Sequence, residues 1–166
     1  VLRATWLRRA AELSQDPGEA LSFLTEARSL NPLDNEISDT LGKTLVKAGE
    51  GEKAAAVYEE LAERQLELAD RVHYLLKAAD ALSAHDPAAS RALLERIEAA
   101  VPEDERVLGM LADLARIAED TEEEVAALRR LAKVTGSKER RLQALRRAAE
   151  LSEDGELLRL VVLNDP

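Results

Sequence analysis

The sequence predicts an all-α fold, an array of short helices stacked in pairs, and three observations carry that prediction. Apolar residues recur at helical spacing along almost the whole chain, with no stretch of convincing period-two alternation. The interruptions are short and polar, as turns between helices are. The string LRRAAELS stands at residues 7–14 and again, letter for letter, at 145–152, 138 positions later. Eight consecutive matches point to a repeating unit.

The breaks cut the chain into about ten helices. They fall at QDPGE from residue 15, NPLDNE from 31, AGEGE from 48, AHDP from 84, VPEDE from 101, EDTEEE from 119, TGSKE from 135 and SEDGE from 152. Asp16 before Pro17 and Asp86 before Pro87 place an acceptor side chain ahead of a proline suited to a first helical turn. Ser137, ahead of Lys138 and Glu139, is a further cap. Pairing consecutive helices gives units near 1–34, 35–70, 71–104, 105–138 and 139–166, at an interval close to 34 positions throughout. The 138-position offset is close to four such periods, which makes the two copies of LRRAAELS the same part of the first and fifth units.

The composition suits such an array. Apolar residues make up 46% of the chain but aromatics only 2%, so the core is built from Leu, Ala, Val and Ile. Five prolines and seven glycines are too few for a fold rich in tight β-turns. The 33 acidic and 23 basic residues leave a net charge of −10, the wrong sign for a nucleic-acid binder. The absence of cysteine removes disulfides, thiolate catalysis and Cys-bound zinc. LLRLVVL at 157–163 is far shorter than the roughly 20 residues of a membrane-spanning helix, so no direct membrane insertion is expected. The start at Val1, without Met or a leader pattern, reads as a piece of a longer protein, and localisation is not legible from it.

With the period in hand, the chain resembles the tetratricopeptide repeat family, whose 34-residue pattern runs W-x2-L-G-x2-Y, then A-x3-F, then P. In the second unit Leu41 and Gly42 stand as the L-G pair, Leu45 replaces the Tyr, Gly49 ends the first helix, and Ala54 and Tyr58 stand as A-x3-F. In the third, Tyr74 stands for the Trp, Ala78 is the small residue and Pro102 closes the second helix. The fourth keeps Leu108, Leu111, Ala112 and Ala115, and the first keeps Ala20, Leu24, Ala27 and Pro32. No unit carries the whole pattern. The resemblance implies one array over residues 1–166, a right-handed superhelical solenoid of about five antiparallel helix pairs.

Two departures matter. In a strict register of the repeat Arg8 and Arg146 occupy the small-residue position, which suggests that the first helices of units one and five are shifted by about two residues, with Trp6, Ala10 and Leu13 facing inward. The last helix is short and apolar almost all round, through Leu157, Leu158, Leu160, Val161, Val162 and Leu163. It predicts either a truncated array or an end-to-end self-association through that helix.

Catalytic chemistry finds little support. LGKT at 41–44 fails as a phosphate loop, because Ile37 stands where the first glycine must be and no strand precedes it. His73 and His85 lack an HExxH setting or further ligands at zinc spacing, so neither a metal nor any other cofactor is expected. The acidic run from Glu119 to Glu124 reads as a solvated helix start, and no G-x-S-x-G is present. Arg129, Arg130, Lys133, Lys138, Arg140, Arg141, Arg146 and Arg147 concentrate basic charge in the last third, on more than one helical face.

The expected function is therefore a scaffold for a protein or peptide partner, and not an enzyme. The alternatives are a self-assembly module or a regulatory array attached to a catalytic domain elsewhere. The resemblance implies a groove lined by the first helix of each pair, showing Asp39 and Lys43 from the second unit, Val72, Leu75 and Ala79 from the third, and Gly109, Asp113 and Arg116 from the fourth. Arg9 and Arg147 would join them from the first and fifth. Some members of the family clamp a terminal carboxylate with Lys, Asn and Arg on these helices. Asparagines stand here only at 31, 35 and 164, so a partner helix or an internal extended peptide fits the groove better.

Overall fold

The computed structural model describes residues 2–152 and 154–164, and within them every regular element is an α-helix. There are ten: α1 (Leu2–Leu13), α2 (Pro17–Leu30), α3 (Asn35–Lys47), α4 (Gly51–Glu63), α5 (Leu68–Leu82), α6 (Pro87–Ala100), α7 (Glu105–Ile117), α8 (Thr121–Val134), α9 (Lys138–Ser152) and α10 (Gly155–Asn164). The second helices begin at Pro17, Gly51, Pro87, Thr121 and Gly155, in step with the period read from the sequence. The first helices begin at Leu2, Asn35, Leu68, Glu105 and Lys138 and keep looser time, with one long interval between α5 and α7.

Aspartate starts most of these helices. Asp16 accepts from the Gly18 amide at 3.0 Å, Asp34 from Glu36 and Ile37, Asp86 from Ala89 at 2.9 Å, and Asp104 from Arg106. Asp120 and Asp154 do the same for α8 and α10, and Ser137 for α9. Each satisfies an amide that the first helical turn leaves without an intrahelical partner. One break carries no such punctuation. Between α4 and α5 the chain turns at 64–67 without Gly, Pro or a side-chain cap, closed instead by Gln65 donating to the Leu61 carbonyl at 2.8 Å and Arg71 to the Gln65 carbonyl at 3.1 Å.

The helices gather into two compact units, residues 1–90 and 91–166, divided within α6. In the first, α2 packs on α1, α3 on α2, α4 on α3 and α5 on α4. Connections as short as Ala48-Gly49-Glu50, between α3 and α4, make successive helices antiparallel. Ala4, Ala27 and Ile37 are completely buried together with Leu7 packed against them, joining α1, α2 and α3. Gly42 explains itself here, because a Cβ built on it would lie 2.6 Å from the buried Tyr58 ring. Gly51 is tighter still, its Cβ position lying 2.3 Å from the Ala81 carbonyl oxygen. The buried Ser90 hydroxyl donates to the Ala79 carbonyl at 2.7 Å and ties the first turn of α6 to α5.

In the second unit α8 packs on α7, α9 on α8 and α10 on α9. On α7 the buried residues Val107, Leu108, Leu111, Ala112 and Ala115 stand two repeats after Ile37, Ser38, Leu41, Gly42 and Leu45 of α3, position for position. The ends of these two helices also match. Gly49 at φ +76 lets the Glu50 amide reach the Leu45 carbonyl at 2.9 Å; in the corresponding place after α7, Glu119 at φ 58 lets the Asp120 amide reach Ala115 at 2.9 Å. This is the left-handed helix stop that glycine adopts without steric cost, and Glu119 adopts it despite its Cβ.

The expected shift of α1 does not occur. Trp6 and Leu13 stand 68% and 77% exposed, while Ala4 and Ala11 are buried and Leu7 half-buried, which is the strict register one repeat before Ser38, Leu45 and Leu41. Arg8 keeps the small-residue position by bending outward, bonding Glu12 at 2.6 Å and Glu36 at 3.0 Å. A long stem with a charged head can cover that spot without burying its charge. On α9 the inward residues are Ala144, Leu145, Ala148 and Ala149, with Arg146 exposed, so there the buried stripe does move along the helix.

Candidate partner-binding faces

The first unit brings five chemistry-bearing side chains of α3 and α5 together with one of α4. The Asp39 carboxylate receives Lys43 from one turn along α3 at 2.6 Å and Lys77 from α5 at 2.6 Å. The Lys77 ammonium also lies over two rings, 5.4 Å from the centre of Tyr58 and 5.2 Å from that of Tyr74, within cation–π range. His73 meets Tyr74 edge-on at 5.3 Å. Burial alone would raise the Asp39 pKa, but the hydrogen bonds and charges of Lys43 and Lys77 outweigh it and hold the carboxyl below its usual range. Burial, reinforced by Asp39, pushes the Tyr58 and Tyr74 hydroxyls upward, so both remain protonated donors at neutral pH. Lys43 is 58% exposed and presents its ammonium to solvent.

Of the residues expected on this face, Lys43 is exposed and Asp39 and Leu75 are half-buried. Val72 and Ala79 are only 2% and 0% exposed. On α5 they share an inward stripe with Leu76, so they pack the core and can touch no ligand. Tyr74 and Lys77 take the accessible side. Sequence reasoning missed Lys77 and the part played by Tyr58; the available signal was a Tyr–x2–Lys pair on a helix whose neighbour carries Asp39–x3–Lys43.

In the second unit α7 shows a smaller polar face. Asp113 and Arg116 are exposed and paired at 3.1 Å, and a Cβ at half-buried Gly109 would meet nothing within 4 Å, so the face is open there. Arg147 is engaged inside its own unit, its Nε donating to Glu124 at 2.8 Å. Glu124 itself is only 5% exposed and Glu123 pairs with Arg91, which corrects the reading of the acidic run: residues 119–122 are solvated, but the last two glutamates hold other helices.

The basic last third is largely spent on internal pairs. Arg129 bonds Asp154, Arg130 bonds Glu98 and Arg140 bonds Glu105. Among the described residues no group of three His, Cys, Asp or Glu could hold a metal ion, and no helix is long and apolar enough to cross a membrane.

No protein-family model and no curated protein matches the sequence. Solved structures do match. A double mutant of MamA from strain RS-1 superposes over 98% of this chain and 92% of its own with a TM-score of 0.68 at 17% identity. Yeast Tom70 matches 96% of this chain with a TM-score of 0.64 at 19% identity, over 35% of the Tom70 chain. TTC0263, a thermophilic TPR protein of Thermus thermophilus, matches 98% of this chain and 97% of its own with a TM-score of 0.51 at 18% identity. The chain thus has the tetratricopeptide-type fold, an α-solenoid of helix pairs.

Proposed function

We propose that the chain is a protein-interaction scaffold, non-catalytic in itself, which holds a peptide or helix of a protein partner against the faces of its first helices. The observation that carries this reading is the α3–α5 cluster. Two ammonium groups share one carboxylate, and that of Lys43 stays open to solvent on a chain whose net charge is −10. Tyr74 and His73 supply aromatic surface beside it. A partner segment with a carboxylate for Lys43 and an apolar side chain for the Tyr74 edge complements this face, and the half-buried Asp39–Lys77 pair fixes the lysines in place before it arrives.

The resemblance to tetratricopeptide repeats supports the choice of first helices, and their sequence-derived residues remain the proposed contacts: Asp39, Lys43 and Leu75 in the first unit, and Gly109, Asp113 and Arg116 in the second. Arg9 is exposed on α1 and belongs with them. Arg147 contributes only the outer part of a side chain already committed to Glu124.

The test is affinity capture with the wild type, Lys43→Glu and Arg116→Glu, each confirmed helical by circular dichroism. Both side chains are exposed, so folding should survive. A protein held by the wild type, lost with Lys43→Glu and recovered on direct titration with the purified pair supports the first-unit face. Unchanged capture by both variants would remove the first-helix assignment.

A further inference from the structure

Within the basic last third, Lys133 and Arg141 form no ion pair among the described residues, and both line one cavity of about 580 Å³ between α8, α9 and α10. Arg141 holds a place where the repeat elsewhere buries an apolar side chain. One repeat earlier stands Val107, and two repeats before that Ile37, exposed by only 1% and 0%. The Arg141 Nη2 donates to the Thr135 carbonyl at 3.0 Å, six residues back, as Arg71 does to Gln65 from the equivalent place on α5. That bond closes the turn ahead of the helix and accounts for the outer end of the side chain. It leaves the Arg141 Nε hydrogen buried with no acceptor, whereas Arg71 is exposed to solvent. A buried donor without an acceptor costs stability that a ligand able to accept from it would restore.

Beside these two donors the wall is apolar. Ala132 of α8, Leu145 of α9 and Leu157 of α10 are all buried and all line the cavity. The other charges on it nearly cancel: Arg129 is bonded to Asp154, and Glu156 stands exposed at the rim. The helices that form the walls are packed on one another, α8 on α9 and α9 on α10, and the exposed row of Leu158 and Val162 lies outside the cavity. We propose that this cavity binds a small organic acid, its carboxylate held by the Arg141 Nε and the Lys133 ammonium and its aliphatic part lying on Leu145 and Leu157. A singly charged anion matches two donors set beside Asp154 and Glu156, whereas a phosphate dianion would bring a second negative charge against those carboxylates. An apolar wall with a few convergent polar groups, at this volume, is the make-up of a small-molecule site. The ligand goes beyond the first-helix reading and uses none of its residues.

Titration of the 15N-labelled chain with hexanoate, hexanol and inorganic phosphate, followed by amide shifts, tests this. Hexanoate should give saturable shifts confined to α8, α9 and α10, with a Kd of about 1 mM or tighter. Hexanol, which lacks the charge, and phosphate, which lacks the aliphatic part, should each bind at least roughly tenfold more weakly. Arg141→Met and Lys133→Met should each weaken hexanoate by about tenfold while leaving the helices intact by circular dichroism. Lys133 is exposed, so its variant decides the matter even if Arg141→Met disturbs the turn at Thr135. Shifts that never saturate overturn the proposal. So does hexanol equal to hexanoate, which would mean an apolar groove alone, phosphate equal to hexanoate, which would mean charge alone, or full affinity in a folded Lys133→Met. Lys43 and Arg116 are intact in every sample, so failure here leaves the first-helix reading standing.

Discussion

Replacing Gly42 by alanine sets two effects of known sign against each other. In a helix interior alanine is favoured over glycine by ~1 kcal/mol, so an unobstructed site would gain stability. At position 42 the new methyl would lie 2.6 Å from Cε1 and Cζ of Tyr58, where ordinary contact is 3.4–4 Å. Something must retreat by about 1 Å. The ring is 3% exposed and cannot swing into water, so the displacement is passed into the α3–α4 packing. Overpacking of this kind costs ~1–3 kcal/mol. The net expectation is a loss of ~1 kcal/mol, a fall in Tm of roughly 2–4 °C for a chain of this size. The diagnostic experiment is a double-mutant cycle by urea denaturation followed by far-UV circular dichroism. With Tyr58→Leu the obstructing ring atoms are gone and Gly42→Ala should change sign, becoming stabilising by up to ~1 kcal/mol. If Gly42→Ala stabilises equally in both backgrounds, the ring does not rest on the glycine and the reasoning fails.

Gly51→Ala should cost more, ~3 kcal/mol or above, because the obstructing atom is the Ala81 carbonyl oxygen and both sides of the clash are backbone; the same urea series measures it, and a loss smaller than that of Gly42→Ala would count against the placement of α4 on α5. Glu119→Gly should stabilise by ~1 kcal/mol, since it removes a Cβ from a left-handed residue in the place Gly49 holds in the first unit; an unchanged or lowered Tm would contradict that. The Asp39 carboxyl should titrate below its ordinary value in an NMR pH series, and Lys77→Met should move it upward. Because its folded pKa is the depressed one, the stability it contributes is complete above about pH 3.9 and is lost as pH falls through the folded value. The difference in melting temperature between wild type and Asp39→Asn should accordingly shrink toward the acid end, and a gap that widens there would show the wrong sign.

The repeat and its helices are legible in the sequence because they depend on local pattern. Asp16, Asp86 and Ser137 cap where their neighbours suggest, and the stretch around Leu41 and Gly42 carries its packing role in its spacing. The turn at 64–67 is not legible, since nothing in Arg64-Gln65-Leu66-Glu67 forbids a helix; tertiary packing of α5 on α4 breaks it. The direction in which a helix faces is the weaker inference. Arg8 looks incompatible with the small-residue position when residue type is read without its reach, and the outlet offered by Glu36, beside that of Glu12 on its own helix, exists only once α1 lies beside α3. Starting the third unit at residue 71, a step longer than the repeat, puts Val72 and Ala79 on the open face, whereas one repeat on from Ser38 and Leu45 they fall on the buried one, and Asp39 and Lys43 lead to His73 and Lys77. Lys77 escapes notice because its partner, Asp39, lies on another helix, far away along the chain.

The steadier clock of the second helices bears on how such a chain can be lengthened. From Pro17 through Gly51, Pro87 and Thr121 to Gly155 their starts stay close to one period, whereas the first-helix starts run short and then, between Leu68 and Glu105, long. Slack in the array is therefore absorbed within the first helices and the turns that lead from them to the second helices, whereas the stretch from a second-helix start to the next first-helix start hardly varies. A gene duplication or an engineered splice whose joints fall at the second-helix starts would pass on blocks of nearly constant length, each carrying its own slack internally. Joints placed at the first-helix starts would pass on blocks of less even length and hand a mismatched phase to the following block.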